Sequence, residues 1–114
     1  MVEEMKQTYL GEFELLVMLS LIRLDDNAYG VPISREIEKE TSREAALGSV
    51  YATLERLEEK GLVASYLGDP TTERGGRARR YFRATKKGLQ KVRETRKALV
   101  NLWQGLRELK GQEA

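Results

Sequence analysis

Residues 47–63 read LGSVYATLERLEEKGLV. Leu47, Val50, Leu54 and Leu57 recur at spacings of three, four and three, one apolar stripe at the helical period. Gly61 stands just past the last turn and Leu62 follows it. That is the pattern of a helix stopped by a left-handed residue with a hydrophobic contact behind it. The spacing predicts a helix over Leu47–Lys60. With the stripe turned inward, Ser49, Ala52, Thr53 and Arg56 fall on or beside the open face. Short side chains near the start let such a helix approach another surface closely. Tyr51 borders the stripe, so its ring is divided between a core role and a surface role in which the hydroxyl meets a phosphate.

Upstream, two more helices are expected. The first spans Leu10 to Leu24, apolar on most faces and so central. Asp25, Asp26, Asn27 and Gly30 then supply turn chemistry. The second starts near Pro32, a residue favoured in a first turn, and ends at Thr41–Arg43, with Ile33 and Ile37 on one face. Downstream, Leu62–Leu67 reads as a strand and Gly68–Gly76 (GDPTTERGG) as a loop. Arg79–Ala84 reads as a second strand, making a hairpin with a long basic tip.

Thr85 is the expected N-cap of a last helix running to about Lys110, weakened locally by Gly88 and Gly105. Val92, Leu99 and Leu106 are seven apart; Leu102 and Leu109 are also seven apart, offset by three. This is an a/d seam with Thr95 its one polar member. A helix of that length, about 40 Å, carries more apolar stripe than so small a domain can cover. The seam therefore predicts a second copy of the chain as partner, with packing back on the first helix as the alternative. Trp103 sits beside the seam. Two indoles facing across a twofold axis would form a slot for a flat aromatic effector; otherwise the ring covers the seam edge or packs near Phe13 or Leu16.

Composition narrows the function. The chain has 114 residues, 33% of them charged, with no Cys and no His. Disulfides, thiolate chemistry, zinc fingers, Ser-His-Asp triads and zinc hydrolases cannot be built from it. No P-loop, GxGxxG or calcium loop is present, and a single RGG at Arg74–Gly76 is a weak RNA signal. No cofactor, no metal and no enzyme activity are expected. The longest apolar run, Leu15–Leu24, is too short to span a bilayer; the start MVEEMK is not the basic start of a leader and no cleavage-like site follows the run, so a cytoplasmic protein without membrane contact is expected.

The net charge of +2 hides an asymmetry. Residues 1–73 hold 7 basic and 15 acidic side chains; residues 74–97 hold 11 basic and one acidic. A block this basic is the footprint of a polyanion-binding surface, and Tyr81 and Phe82 within it imply a folded element rather than a solvated run.

Three helices, a basic hairpin and a last helix are the order of a winged helix-turn-helix. The expected fold is α+β, mostly α: a DNA-binding domain over residues 1–84 with a two-stranded wing, and a dimerisation helix over 85–114. Ser49, Tyr51, Ala52, Thr53 and Arg56 are the expected recognition-helix contacts to double-stranded DNA. Arg74, Arg77, Arg79 and Arg80 are the expected wing contacts to backbone or minor groove. Val92, Leu99, Leu102, Leu106 and Leu109 are the expected homodimer interface, and Trp103 the candidate effector pocket. A winged-helix adaptor binding protein or RNA through the same surface is the alternative.

The stretches LGEFELLVMLSLIRLDDNAYGVPISREIE, LGSVYATLERLEEKGLV and ERGGRARRYFRATKKG resemble the PadR-type transcriptional regulators, in order, over roughly Leu10 to Gly88. MarR- and ArsR-type winged helices share the architecture but not these motifs. The resemblance implies a homodimeric repressor on inverted-repeat operators, with the helix after the wing carrying dimerisation, helped by the first helix. The single C-terminal helix is similar to the small LmrR-like subgroup. There a tryptophan on the last helix stacks on flat drugs, and Trp103 is the matching residue. Pro32 departs from the pattern, which leaves that position unrestricted.

Overall fold

The computed structural model describes residues 8–69 and 78–110. Helix α1 (Glu12–Leu24) buries Val17, Met18, Ser20 and Leu21 and starts where the Gly11 N–H donates to the Glu14 carboxylate. A single 3-10 turn over Asp25–Asn27 leads to α2 (Gly30–Thr41), whose Ile33 and Ile37 are buried. Helix α2 begins two residues before Pro32, which therefore lies inside its first turn. Gly30 is required there by packing: a Cβ would stand 2.4 Å from the Tyr51 ring. That ring rests on the start of α2, partly buried against the core.

The α2–α3 turn is tied by its own side chains. The Ser34 hydroxyl donates to the Ala45 carbonyl at 2.5 Å, and the Ala45 N–H donates to Glu38 at 2.9 Å. Helix α3 (Leu47–Glu59) buries Val50, Leu54 and Leu57 as its spacing predicts. It stops as predicted too: Gly61 takes φ +77°, and the Leu62 N–H reaches back to the Leu57 carbonyl at 2.9 Å. Two residues of the helix differ from expectation. Leu47 is 42% exposed, because in the first turn nothing lies behind it, and Thr53 is 2% exposed, drawn into the core beside Leu54.

Strands β1 (Val63–Leu67) and β2 (Arg80–Ala84) pair antiparallel, with Ser65 opposite Phe82 and Leu67 opposite Arg80. Phe82 is fully buried, and its N–H donates to the Ala28 carbonyl at 2.8 Å, which ties the hairpin to the α1–α2 connection. The core is one cluster shared by α1, α2, α3 and the hairpin. The observed architecture is the mostly helical winged helix that the element order implied.

Helix α4 (Lys86–Trp103) starts on the Thr85 cap, whose hydroxyl accepts from the Gly88 N–H at 3.0 Å and donates to the Gly61 carbonyl at 2.7 Å. Gly88 is there for contact. A Cβ would lie 2.0 Å from the Leu62 carbonyl oxygen, so only glycine lets α4 cross the end of α3 this closely. The helix is shorter than expected. Gln104 turns extended, Gly105 takes φ +78°, and a 3-10 turn over Arg107–Leu109 follows. Leu106 and Leu109 therefore leave the helical seam. Among the described residues no helix is long and apolar enough to cross a membrane.

Candidate nucleic-acid interface

The open face of α3 carries Ser49, Ala52 and Arg56, all exposed. They border a shallow groove of about 470 Å³ completed by Phe13, Arg43, Glu44 and Ala46. Arg43 comes from the α2–α3 turn. Its guanidinium lies 5.0 Å over the Phe13 ring and pairs with Glu12, which fixes a cation at the groove rim. The Arg56 guanidinium donates to the Thr53 hydroxyl at 3.3 Å. Thr53 was expected to face outward; it acts instead from inside, holding Arg56 along the helix. Arg43 and the exposed Leu47 escaped the sequence reading. Arg43 stands in a turn, outside any periodic pattern, and Leu47 was counted in the stripe because spacing alone does not mark where a helix loses its backing.

At the base of the wing, aromatic rings and guanidinium groups alternate. Tyr66 and Tyr81 stack at 5.6 Å, and Tyr29 meets Tyr81 edge-on at 5.5 Å. Arg79 lies over Tyr29 at 4.1 Å and Arg83 over Tyr66 at 5.8 Å. The stack holds Arg79 beside the start of α2. Arg74 and Arg77 fall outside the described residues.

Arg80 does not join the other wing arginines. It reaches back to α3, donating to Glu55 at 2.7 Å and to Glu58 at 2.5 Å, with its guanidinium 4.9 Å from the Phe82 ring. Glu58 also accepts from the Ser65 hydroxyl at 2.7 Å and from the Ser65 N–H at 3.3 Å. These bonds, with Ser65 first and the Arg80 charge behind it, hold the Glu58 carboxyl below its usual range. The bond that Arg80 donates to Glu55 in turn raises Arg80 above its ordinary value. Past the same C-terminal end of α3, burial pushes Glu14 of α1 up, but hydrogen bonds from Lys60 at 2.8 Å and from the Gly11 N–H outweigh it and the net shift is downward.

The seam on α4 divides in two. Val92 packs against the core, and Thr95 is 3% exposed, its hydroxyl accepting from the Leu10 N–H at 3.1 Å. Beyond it Leu99 is 53% exposed, Leu102 77%, and Trp103 and Leu106 are about half exposed. With Leu99, Val100, Gly105 and Leu106, Trp103 lines an open cleft of about 480 Å³ whose lining includes neither Phe13 nor Leu16. Leu109 is half-buried in the last turn.

Comparison with known proteins agrees with this geometry. Residues 18–94 match the model of the transcriptional regulator PadR-like family. An uncharacterized protein of Lysinibacillus sphaericus is 34% identical over 95 residues, 82% of this chain and 80% of its own. The structure of a PadR family transcriptional regulator from Eggerthella lenta superimposes with a TM-score of 0.64 at 28% identity, covering 86% of this chain and 83% of that one. A PadR family transcription regulator from Clostridium difficile shares the fold with a TM-score of 0.70 at 22% identity, over 89% of this chain and all of that one. The chain belongs to the PadR-like family of transcriptional regulators, and its winged helix is that of a DNA-binding transcription regulator.

Proposed function

We propose that this regulator is a repressor that binds an inverted-repeat operator as a homodimer. The observation that carries the reading is a juxtaposition: the exposed face of α3, with the short side chains of Ser49 and Ala52 near its start and the cation Arg56 in its last turn, lies in one domain with a basic hairpin. Ser49 and Arg56 suit phosphate or base edges, Ala52 a thymine methyl, and Leu47 a second apolar contact in the groove. Arg79 on its tyrosine support suits the backbone, with Arg74 and Arg77 adding charge to the same hairpin. Dimerisation would use Val92, Leu99 and Leu102 on α4 together with Leu106 and Leu109 beyond it. The exposure of Leu99 and Leu102 supports this, since a free apolar stripe of that kind marks an interface. The cleft beside Trp103 suits a flat aromatic effector that would relieve repression from the dimer side.

A salt titration tests the DNA reading. The logarithm of the affinity for duplex DNA should fall linearly with the logarithm of salt concentration, by about 0.9 per phosphate neutralised, and a palindromic site should be preferred over random duplex. Binding to structured RNA or to protein without that duplex preference would replace a repressor with an adaptor. Sedimentation as a monomer at tens of micromolar would remove the homodimer.

A further inference from the structure

The sequence places Arg80 among the arginines that would touch DNA, yet the structure ties it back to α3. One guanidinium bridges Glu55 and Glu58, two carboxylates one turn apart on α3. Glu58 in turn takes both polar groups of Ser65 on β1. Since Ser65 pairs with Phe82 on β2, and Phe82 is bonded to the Ala28 carbonyl, the network joins both wing strands to the C-terminal half of the helix. Arg80 and Phe82 are two apart on β2 and so share a face; the guanidinium packs against the ring of a fully buried residue, which restricts where it can swing.

We propose that Arg80 is a positioning residue: clamped by Glu55 and Glu58, it fixes the wing relative to the recognition helix and thereby sets specificity. This rests on the DNA reading above. Specific binding needs α3 in the major groove and the wing on the backbone at one time. A wing held in advance loses no further freedom when the second contact forms, whereas a loose wing does. Non-specific binding needs only cations near phosphates and is indifferent to the angle between the two elements. The clamp therefore acts on the ratio of specific to non-specific affinity and leaves the electrostatic attraction alone. A forked guanidinium can hold two carboxylates in fixed geometry; a lysine ammonium, a point charge on a flexible stem, cannot.

The opposing model is that Arg80 leaves the carboxylates and binds a phosphate when DNA arrives. The two models differ in sign. Glu55 and Glu58 are negative charges on a helix that approaches a polyanion, so in the phosphate model neutralising them frees Arg80 and tightens binding. In the clamp model it loosens the wing and weakens specific binding.

The test uses the full chain, its selected operator and a random duplex of equal length. It compares wild type, Arg80→Lys, Arg80→Gln, and Glu55→Gln combined with Glu58→Gln, across a range of salt. Expected are a loss of about tenfold in operator affinity for all three variants, random-duplex affinity within about twofold, and an unchanged salt slope. Hydrogen exchange of the amides of residues 63–67 and 80–84, measured without DNA, should quicken in the same three variants and leave α1 unchanged. Tighter operator binding by the double glutamate variant, wild-type behaviour of Arg80→Lys, or a salt slope lower by about one in Arg80→Gln would overturn the clamp and make Arg80 a phosphate contact. Absence of salt-dependent duplex binding by the wild type would overturn the DNA reading itself, so the two failures are distinct.

Discussion

Helices α3 and α4 both carry a regular apolar stripe, and the protein treats the two differently. On α3 the stripe from Val50 to Leu57 is fully covered by the same chain. On α4 coverage stops at Thr95: Val92 reaches the core, while Leu99 and Leu102, one and two turns further on, stand in solvent. Periodicity specifies which face of a helix is apolar and leaves open what covers it. Here the covering material is α1 and the segment leading into it, bonded to Thr95 through Leu10, and among the described residues Leu99 and Leu102 are left uncovered. In the proposed dimer the uncovered half is covered by its own symmetry mate.

The sharpest way to break this comparison is to charge the uncovered half. Leu99→Glu with Leu102→Glu places like charges in the proposed interface. The expected result is a folded monomer whose operator affinity falls by 100-fold or more, because a half-site alone gives up the second recognition helix. Circular dichroism should show an unchanged helix content, since neither side chain contributes to the protomer's core. A dimer that survives the substitutions, seen by sedimentation, would mean that these leucines are surface residues and that the pairing lies elsewhere.

The glycines near the two ends of α4 sharpen the contrast. Gly88→Ala forces a Cβ into the Leu62 carbonyl, and because the severe clash is with backbone, movement of the nearby Met18 side chain cannot relieve it. A loss of about 3 kcal/mol in chemical unfolding is expected. Gly105→Ala meets open space and is strained only by its φ of +78°, so about 1 kcal/mol is the limit of its effect. Similar losses at the two sites would show that the end of α4 is packed as tightly as its start. Thr95→Val probes the boundary: it keeps the shape and removes the acceptor of the Leu10 N–H, at an expected 1–2 kcal/mol, roughly the desolvation penalty of one orphaned donor.

These sites also mark where the sequence could be read and where it could not. The α3 stripe, its stop at Gly61 and the two strands as single elements were legible because each depends on residues within a few positions of one another. Gly88 read as a weakness because its reason is the Leu62 carbonyl, 26 residues away. Arg80 read as a wing contact because its partners Glu55 and Glu58 lie on another element, 25 and 22 residues distant. Thr53 read as exposed because its burial depends on which neighbours close over the flank of the stripe. The end of α4 was signalled by Gly105, but the heptad spacing of Leu106 and Leu109 outweighed one glycine; a left-handed residue at the end of a helix that lacks tertiary cover is a stronger stop than the periodicity beyond it is a continuation.

The smallest effect on stability is expected from the residue with the largest apolar surface in that region. A fully buried indole would cost about 3–5 kcal/mol on truncation. Trp103 is 46% exposed, and its neighbours Leu99 and Leu106 are themselves about half exposed, so Trp103→Ala should cost the protomer well under that, about 1 kcal/mol or less. The consequence lies in what the ring does when a second copy arrives. As the only tryptophan, it reports on this cleft alone. Its emission should be that of a half-wetted indole in the Leu99→Glu, Leu102→Glu monomer and should move to shorter wavelength in the wild-type dimer. If the effector reading holds, a flat aromatic dye should quench the dimer and leave the monomer unaffected, because one open cleft offers a single wall and two facing clefts offer a slot. Emission that is the same in monomer and dimer, with no quenching in either, would place Trp103 at the periphery of the seam and leave the second half of α4 as a pairing surface without a ligand.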